Sequence, residues 1–313
     1  MIDITLQNFE SELLQASMRQ PVLLDIWAPW CGPCKALGPL LEKLEVAYAG
    51  RFLLAKLNSD EQPEIAGQLS QAFGVRSIPF CVLFDRGQPV DGFVGAQPEA
   101  QIRAFLDKHV PTADEMEAEA EAEEAAELAA EGDAQSAVER LQQAVALDPG
   151  NDALRSDYVK LLLETGAVGP ARAAYEPIAG KALADARISA LGLWLDASEK
   201  AASARSADAL AAAIAANRRD FDARYELAQT HFAAGRFTEA MDELLEIVMR
   251  DKGWNDQLAR KAYVAILELM TKPAPKPAAE QAKGTLELTG KAAVQPADPV
   301  VDQYRRKLSM ALF

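Results

Sequence analysis

Two cysteines separated by two residues are the part of this sequence best suited to chemistry. Cys31 and Cys34 enclose Gly32 and Pro33, and Trp30 stands directly before them. This spacing lets both sulfurs meet in one turn at the start of a helix, where the helix N-terminus stabilises a thiolate. Such a pair exchanges between dithiol and disulfide, so the segment predicts a redox centre.

The segments on either side of the cysteine pair predict the setting that this chemistry needs. The apolar run 22–28 is typical of a buried strand, and residues 35–44 are typical of a helix. A cysteine pair between a strand and a helix is a much more specific signal than the spacing alone.

The first 110 residues alternate between strand and helix patterns. Strands are expected at 21–28, 52–58, 79–85 and 90–94, and helices at 8–18, 34–49, 63–73 and 98–109. This alternation predicts an α/β fold, a mixed sheet flanked by helices, for a first domain over residues 1–110.

Composition excludes several classes of protein. The 313 residues suit two domains, and three cysteines are too few for a disulfide scaffold. No apolar run approaches the ~18–20 residues of a membrane span, and the N-terminus lacks the pattern of an export signal. We therefore expect a cytoplasmic protein with no membrane partner.

Charge and histidine content narrow the possible ligands. The net charge is −15, and residues 111–270 carry 30 acidic and 16 basic side chains. This balance disfavours nucleic acid as a partner, because binding it requires clustered Lys and Arg. The two histidines, His109 and His231, belong to no metal-ligand cluster, so we expect no metal and no cofactor beyond the redox-active disulfide.

Residues 111–270 predict a second, all-helical domain. After a solvated Glu/Ala-rich helix at 114–131 comes a pattern that repeats with a period of 34 residues. Gly132, Ala137, Leu141 and Ala144 recur as Gly166, Ala171, Tyr175 and Ile178. The period resembles the tetratricopeptide repeat. With a further unit around Gly235 and a degenerate one at 184–217, it predicts a solenoid of about four helical pairs with a groove for partners.

The end of the chain has two parts. Residues 271–299 are rich in Pro, Ala and Lys, which is typical of a linker or an inserted loop. Residues 300–313 predict a C-terminal helix with Val301, Tyr304, Leu308 and Leu312 on one face. Pattern alone leaves two possibilities open: a capping helix docked on the solenoid, or a partner-binding tail.

Residues 1–110 resemble thioredoxin over their full length, not only at the cysteine pair. The resemblance implies that Cys31 is the exposed attacking thiol and Cys34 the buried resolving thiol. It also implies that Asp25 relays the proton of Cys34 and that Lys56 pairs with Asp25. From the residues alone, Asp25 in an apolar strand could instead be a tolerated buried acid.

The same resemblance implies a substrate-binding surface around the disulfide. It would comprise Trp30, Gly32, Pro33, the segment Ile78-cis-Pro79 and Gly95. Phe80 stands where a small threonine is usual, so we expect it to alter which substrates dock. Cys81 is interpreted as a small buried residue, with a third redox thiol as the alternative.

The whole chain, apart from 271–299, resembles the YbbN/CnoX family of bacterial chaperedoxins. The resemblance rests on the thioredoxin segment, the degenerate repeats and the terminal sequence YRRKLSMALF. It implies a protein-disulfide reductase that also acts as a holdase, protecting unfolding or oxidised clients and passing them to the GroEL chaperonin. A thioredoxin reductase or similar donor would supply electrons.

The chaperedoxin resemblance also assigns residues outside the cysteine pair. It implies a chaperonin contact through Tyr304, Arg305, Arg306, Leu308, Leu312 and Phe313. Some relatives keep a different reactive cysteine at the position of Ser59, so redox chemistry is expected only at Cys31 and Cys34. Two alternatives remain: a plain disulfide reductase with substrate-selecting repeats, and an interaction adaptor with a vestigial redox site.

Overall fold

The structure, a computed structural model, describes residues 2–271 and 298–312. Contacts between residues divide the chain into two compact units, the first ending at Ala113 and the second beginning at Asp114. Across the described ranges, no helix is both long enough and apolar enough to cross a membrane.

The first unit is a five-stranded mixed sheet flanked by helices, as the alternating pattern predicted. The strands are β1 (Ile2–Asp3), β2 (Val22–Trp27), β3 (Leu53–Asn58), β4 (Phe80–Asp85) and β5 (Gln88–Val94), in the order β1-β3-β2-β4-β5. The helices are α1 (Gly32–Ala47), α2 (Pro63–Phe73) and α3 (Glu99–Asp107), with short helical turns at Phe9–Gln15 and Ala16–Met18. Strand β2 runs parallel to β3 and antiparallel to β4.

The core of this unit explains why β2 is apolar at every position except Asp25. Helices α1 and α3 pack apolar side chains on one face of the sheet, and α2 with the turn at Phe9–Gln15 packs them on the other. A central strand covered on both faces buries every side chain, so its sequence does not alternate. Val22, Leu23 and Leu24 are accordingly buried in succession.

The strands predicted at 21–28, 52–58 and 79–85 are each within one residue of the observed ends, whereas β1 and β5 differ more. Strand β1 was not predicted, because two residues are too few to show a period, and its parallel pairing with β3 creates it. Strand β5 begins at Gln88 rather than at residue 90, because the hairpin turn is shorter than its Gly- and Pro-containing composition suggested.

The second unit consists of helices. They are α4 (Ala113–Glu131), α5 (Ala134–Leu147), α6 (Asp152–Glu164), α7 (Val168–Tyr175), α8 (Ala186–Ala201), α9 (Ala207–Ala216), α10 (Phe221–Ala233), α11 (Phe237–Arg250), α12 (Trp254–Met270) and α13 (Pro299–Leu312), with a 3₁₀ segment at Glu176–Lys181. Helices α4 to α7 and α9 to α11 pack on their neighbours in sequence, as tetratricopeptide repeats do. Helix α8 packs on α10 and α12 rather than on α9, so the predicted degenerate unit at 184–217 forms no pair of its own, and α12 takes part in the stack up to residue 270.

The repeated glycines have a local conformational reason. Gly132, Gly166 and Gly235 each join the two helices of a pair, and their φ angles are +91°, +76° and +69°. A residue with a Cβ is strained in this left-handed conformation, which ends one helix and lets the next turn back. Helices α8 and α9 have no such glycine between them and are joined by a longer connection at residues 202–206.

Close packing between helices α7 and α8 predicts the effect of one added methyl group. A Cβ at Gly192 would clash with the hydroxyl of Tyr175, which is held in place by donating to the Ile188 carbonyl at 3.1 Å. We expect Gly192→Ala to lower the unfolding free energy of the second unit by ~1–3 kcal/mol. Urea unfolding of the full chain would measure it. Gly169→Ala, with no atom within 4 Å of the new Cβ, is the matched control and should not destabilise; an equal effect of both variants would contradict the expectation.

Candidate active site

The two cysteines of the motif form a disulfide at the start of α1. Their sulfurs are 2.02 Å apart, and Cys31 is the residue that caps the helix N-terminus. The Cys31 Sγ accepts a hydrogen bond from the backbone N–H of Cys34 at 3.2 Å. In the dithiol form, the same amide and the helix dipole favour a thiolate on Cys31.

The exposure of the cysteines differs from the expected contrast between an exposed and a buried thiol. Cys31 and Cys34 are both 4% exposed. The disulfide bond holds the Cys31 sulfur inward, in a small apolar cluster with Ala28 that is flanked by Trp27 and Ile78. In this oxidised form, therefore, the two residues are equally covered.

An exposed surface nevertheless adjoins the disulfide. Trp30 is 70% exposed, and its indole N–H donates to both carboxylate oxygens of Asp60 at 3.1 and 3.2 Å. Gly32 and Pro33 are exposed as well. An oriented aromatic ring beside small, exposed residues can contact an extended segment of another protein.

The segment around Pro79 lies beside this surface, with Ile78 half-buried and Pro79 itself buried. The Ile78-Pro79 peptide is cis, as predicted, and Ile78 packs against the cysteine cluster. The backbone N–H of Gly95 donates to the Pro79 carbonyl at 2.7 Å. The structure thus places Ile78 against the cysteines and joins Gly95 to the same segment through Pro79.

Phe80 does not take the position that we expected beside the docking surface. It is 2% exposed and packs edge-on against Phe73 with the ring centroids 5.6 Å apart. Alternation along β4 directs this side chain into the core, so the expectation that it changes substrate docking is wrong.

Asp25 is a buried carboxyl in the centre of the sheet. It is 1% exposed and lies on β2, in register with Lys56 of β3 on one side and Cys81 of β4 on the other. Burial raises the pKa of Asp25 to about 6, although the charge of Lys56 and a hydrogen bond from Cys81 act to lower it. A carboxyl whose pKa is raised in this way by burial is more common at functional sites than elsewhere in proteins.

The expected ion pair between Lys56 and Asp25 is absent. The Lys56 ammonium instead bonds to the carboxylate of Glu42 on α1, which is 44% exposed. The Lys56 ammonium loses less hydration in a pair with the partly exposed Glu42 than it would in contact with the buried Asp25, which explains why it pairs with Glu42. Lys56 acts on Asp25 only through its charge.

Cys81 contacts Asp25, which sequence reasoning did not anticipate. Its Sγ donates to the Asp25 Oδ1 at 3.7 Å, and the residue is 0% exposed. Burial, reinforced by the neighbouring carboxylate, raises the pKa of the Cys81 thiol well above its ordinary value. These facts favour the buried residue over a third redox thiol. The contact depends on the register of β2 and β4, which no local pattern reveals.

The C-terminal helix α13 is docked on the second unit. Val301, Tyr304 and Leu308 are buried in the same apolar core as α11 and α12. The Tyr263 hydroxyl donates to the Tyr304 carbonyl at 2.8 Å, and the Lys307 ammonium donates to Asp242 at 3.1 Å. Of the two possibilities left open by the sequence, the structure adopts the capping helix.

This docking corrects part of the predicted partner-binding set. Tyr304 and Leu308 are 5% and 9% exposed, because α13 buries its apolar stripe against its own chain, so neither is available to a partner here. Leu312 is half-buried. Arg305 and Arg306 are exposed, although Arg305 donates to Thr271 at 3.0 Å. Phe313 lies outside the described residues.

Comparison with protein families, like the contacts, separates a first part of the chain from a second near residue 110. Residues 1–108 match the family model for thioredoxin. Residues 128–193 and 200–288 each match a model for the tetratricopeptide repeat.

Individual relatives match the first unit over nearly their whole length. Thioredoxin of Chlorobaculum thiosulfatiphilum is 44% identical over 108 residues, which are 34% of this chain and 94% of that protein. Thioredoxin 2 of Chlorobaculum tepidum has the same identity and coverage. Thioredoxin 1 of Nostoc sp. is 40% identical over 107 residues, with 34% and 94% covered.

The raised pKa of Asp25 predicts a pH-dependent gain in stability when its charge is removed. The pKa is about 6 in the folded protein and near 3.8 ordinarily, so the folded state binds the proton more tightly. Stability is therefore lost as the pH rises from 3.8 to 6. At pH 8 the ionised Asp25 lowers the unfolding free energy by its full amount, on the order of 3 kcal/mol, and below pH 3.8 it no longer lowers it.

We expect Asp25→Asn to raise the urea midpoint of the oxidised full chain at pH 8 and to leave it nearly unchanged at pH 4. Asp85→Asn, at a partly exposed position on the neighbouring strand β4, is the matched control and should show no such difference. A gain of the same size at both pH values would show that the buried charge is not its cause.

Proposed function

Because the chain belongs to the thioredoxin family and continues into tetratricopeptide repeats, we propose that it is a chaperedoxin of the YbbN/CnoX kind. It is a thiol–disulfide oxidoreductase whose repeats serve interaction with other proteins. The finer proposal is that it holds unfolding or oxidised clients in the cytoplasm and passes them to GroEL. The observation that carries it is an intact disulfide centre in one chain with a stack of helical pairs.

The redox reaction begins with the dithiol form. The Cys31 thiolate attacks a client disulfide, forms a mixed disulfide and releases one client thiolate. Cys34 loses its proton and attacks the Cys31 sulfur, which re-forms the Cys31–Cys34 disulfide and releases the second client thiolate. In this proposal Asp25 accepts the proton of Cys34, and a thioredoxin reductase or a similar donor restores the dithiol.

Client docking is assigned to the exposed surface beside the disulfide. Trp30, Gly32 and Pro33 would contact one side of the client segment, and the half-buried Ile78 and Gly95 the other, with the buried Pro79 between them in this segment. The proximity of Ile78 to the cysteines and the bond between Gly95 and Pro79 support this assignment.

A groove in the second unit supports the holdase part of the proposal. It has a volume of about 720 Å³ and lies between α7, α8 and α12. Leu193, Leu258 and Val264 give it an apolar lining, and Val264 is 47% exposed. Apolar surface that remains accessible can bind the exposed apolar segments of unfolding proteins.

Holding of clients should not require the disulfide. We expect the variant with both Cys31→Ser and Cys34→Ser to suppress aggregation of heat-unfolded citrate synthase as well as the parent does, at one chain per client. Light scattering would measure this, and loss of insulin reduction would verify that the redox centre is removed. If the parent chain itself fails to suppress aggregation, the alternative of a plain disulfide reductase with substrate-selecting repeats replaces the holdase.

Transfer to the chaperonin is assigned to the part of α13 that stays exposed in the docked helix. Met310 is 74% exposed and lies one turn beyond Arg306. We expect Met310→Glu to lower co-purification with GroEL at least several-fold while disulfide reduction is unchanged. Met249→Glu on α11, a 50% exposed methionine, is the matched control. Equal co-purification of both variants would remove α13 as the contact.

A further inference from the structure

Cys81 and Asp25 form an isolated polar pair inside an otherwise apolar sheet. The two residues lie directly opposite each other in the antiparallel register of β2 and β4. Their exposures are 0% and 1%, and the Cys81 Sγ is 3.7 Å from the Asp25 Oδ1. A buried carboxyl without a hydrogen bond is costly. The Cys81 thiol is a donor and Asp25 an acceptor, so each residue satisfies the other.

The remaining charged groups near Asp25 do not replace this bond. Lys56 of β3 directs its ammonium to Glu42, and Glu42 of α1 is itself an acid that disfavours a second negative charge. Within the described ranges, Cys81 is the one side chain that donates a hydrogen bond to Asp25. The thiol is therefore the direct stabiliser of the carboxylate, and Lys56 acts from a distance.

The backbone around Cys81 is fixed by close packing. Gly92 of β5 approaches so closely that a Cβ there would lie 2.6 Å from the Cys81 carbonyl oxygen. The side chain packs in the core with Leu23 and Leu83. Close packing on both the backbone and the side chain favours a single orientation of the thiol towards Asp25.

We propose that Cys81 is a positioning residue for disulfide exchange, whose thiol holds the Asp25 carboxyl ready to accept the proton of Cys34. This inference rests on the proton-accepting role proposed for Asp25. The Cys81 sulfur takes no part in bond exchange and stays a thiol throughout.

The proton and electron balance of the resolving step is simple. The proton of the Cys34 thiol passes to Asp25, and the Cys34 thiolate attacks the Cys31 sulfur of the mixed disulfide. The new Cys31–Cys34 bond forms as the bond to the client breaks, and the client leaves as a thiolate that takes up a proton. Cys81 stabilises the carboxylate before the proton arrives, since it donates to Oδ1 and leaves Oδ2 to receive it.

The first experiment measures the titration of Asp25 in the oxidised full chain. The carboxyl ¹³C resonance of Asp25, identified by its loss in Asp25→Asn, gives the midpoint. Both Cys81→Ala and Cys81→Val remove the donor, and we expect each to raise the midpoint by ~0.5–1 pH unit, because a thiol is a weak donor. Cys81→Ser retains a donor and should return the midpoint to the parent value or below.

The second experiment follows the reaction itself. Reduced protein releases one thionitrobenzoate from 5,5′-dithiobis(2-nitrobenzoate) when Cys31 attacks and a second when Cys34 resolves. The rate of the second phase should fall at acidic pH as Asp25 becomes protonated. In Cys81→Ala and Cys81→Val we expect this fall to occur ~0.5–1 pH unit higher, so that resolution at a given acidic pH is ~3–10-fold slower than in the parent. The first phase should be unchanged, and Cys81→Ser should restore the second.

Leu83→Val separates donor loss from a general packing defect. Leu83 is buried on the same face of β4, two residues from Cys81, and carries no hydrogen-bond donor. Its variant should therefore change neither the titration midpoint of Asp25 nor the pH dependence of the second phase. The proposal is overturned if both apolar Cys81 variants leave the Asp25 midpoint unchanged, or if Leu83→Val shifts it equally.

A different result would identify a failure of the proposed role of Asp25. If Asp25→Asn leaves the pH profile of the second phase intact, Asp25 is not the proton acceptor and the kinetic consequence of Cys81 falls with it. If Asp25→Asn abolishes the fall in rate at acidic pH while both apolar Cys81 variants leave it in place, the role of Asp25 stands and that of Cys81 is refuted.

Discussion

The burial of one carboxyl in the central strand is the constraint on which the first unit depends. Asp25 occupies a position in β2 where both faces of the sheet are covered, so its charge is separated from water. The neighbouring elements compensate for this only in part: Cys81 supplies a hydrogen bond, and Lys56 supplies a charge that is shared with Glu42. The result is an acid that titrates near pH 6, which a stability-optimised core would not contain.

The redox centre and the sheet are joined through α1. Strand β2 ends at Trp27, and a few residues later Cys31 caps the helix whose first turn carries Cys34. The same helix supplies Glu42 to Lys56 and packs its apolar face against the sheet. The positions of disulfide, helix dipole and buried acid are therefore set by one strand–helix unit.

In the second unit, local sequence determines where helices end, and long-range packing determines where α13 docks. Glycines in the left-handed conformation end helices at three turns of the stack, and small residues such as Ala137 and Ala171 are fully buried between helices. The place of α13 is decided differently, since its apolar stripe meets the core formed by α11 and α12 only in the folded stack. A helix that could serve a partner thus completes its own domain in this structure.

The sequence by itself determined what depends on near neighbours along the chain. The strand–helix context of Cys31 and Cys34, the cis peptide before Pro79 and the 34-residue period are all local signals, and the structure contains each of them. Only the tertiary structure decided which residues meet across elements: Cys81 with Asp25, Lys56 with Glu42, Phe80 with the core and α13 with α11 and α12. The physical reason is that register and helix docking minimise the free energy of the whole fold, so the partner of a side chain is not encoded in its own segment.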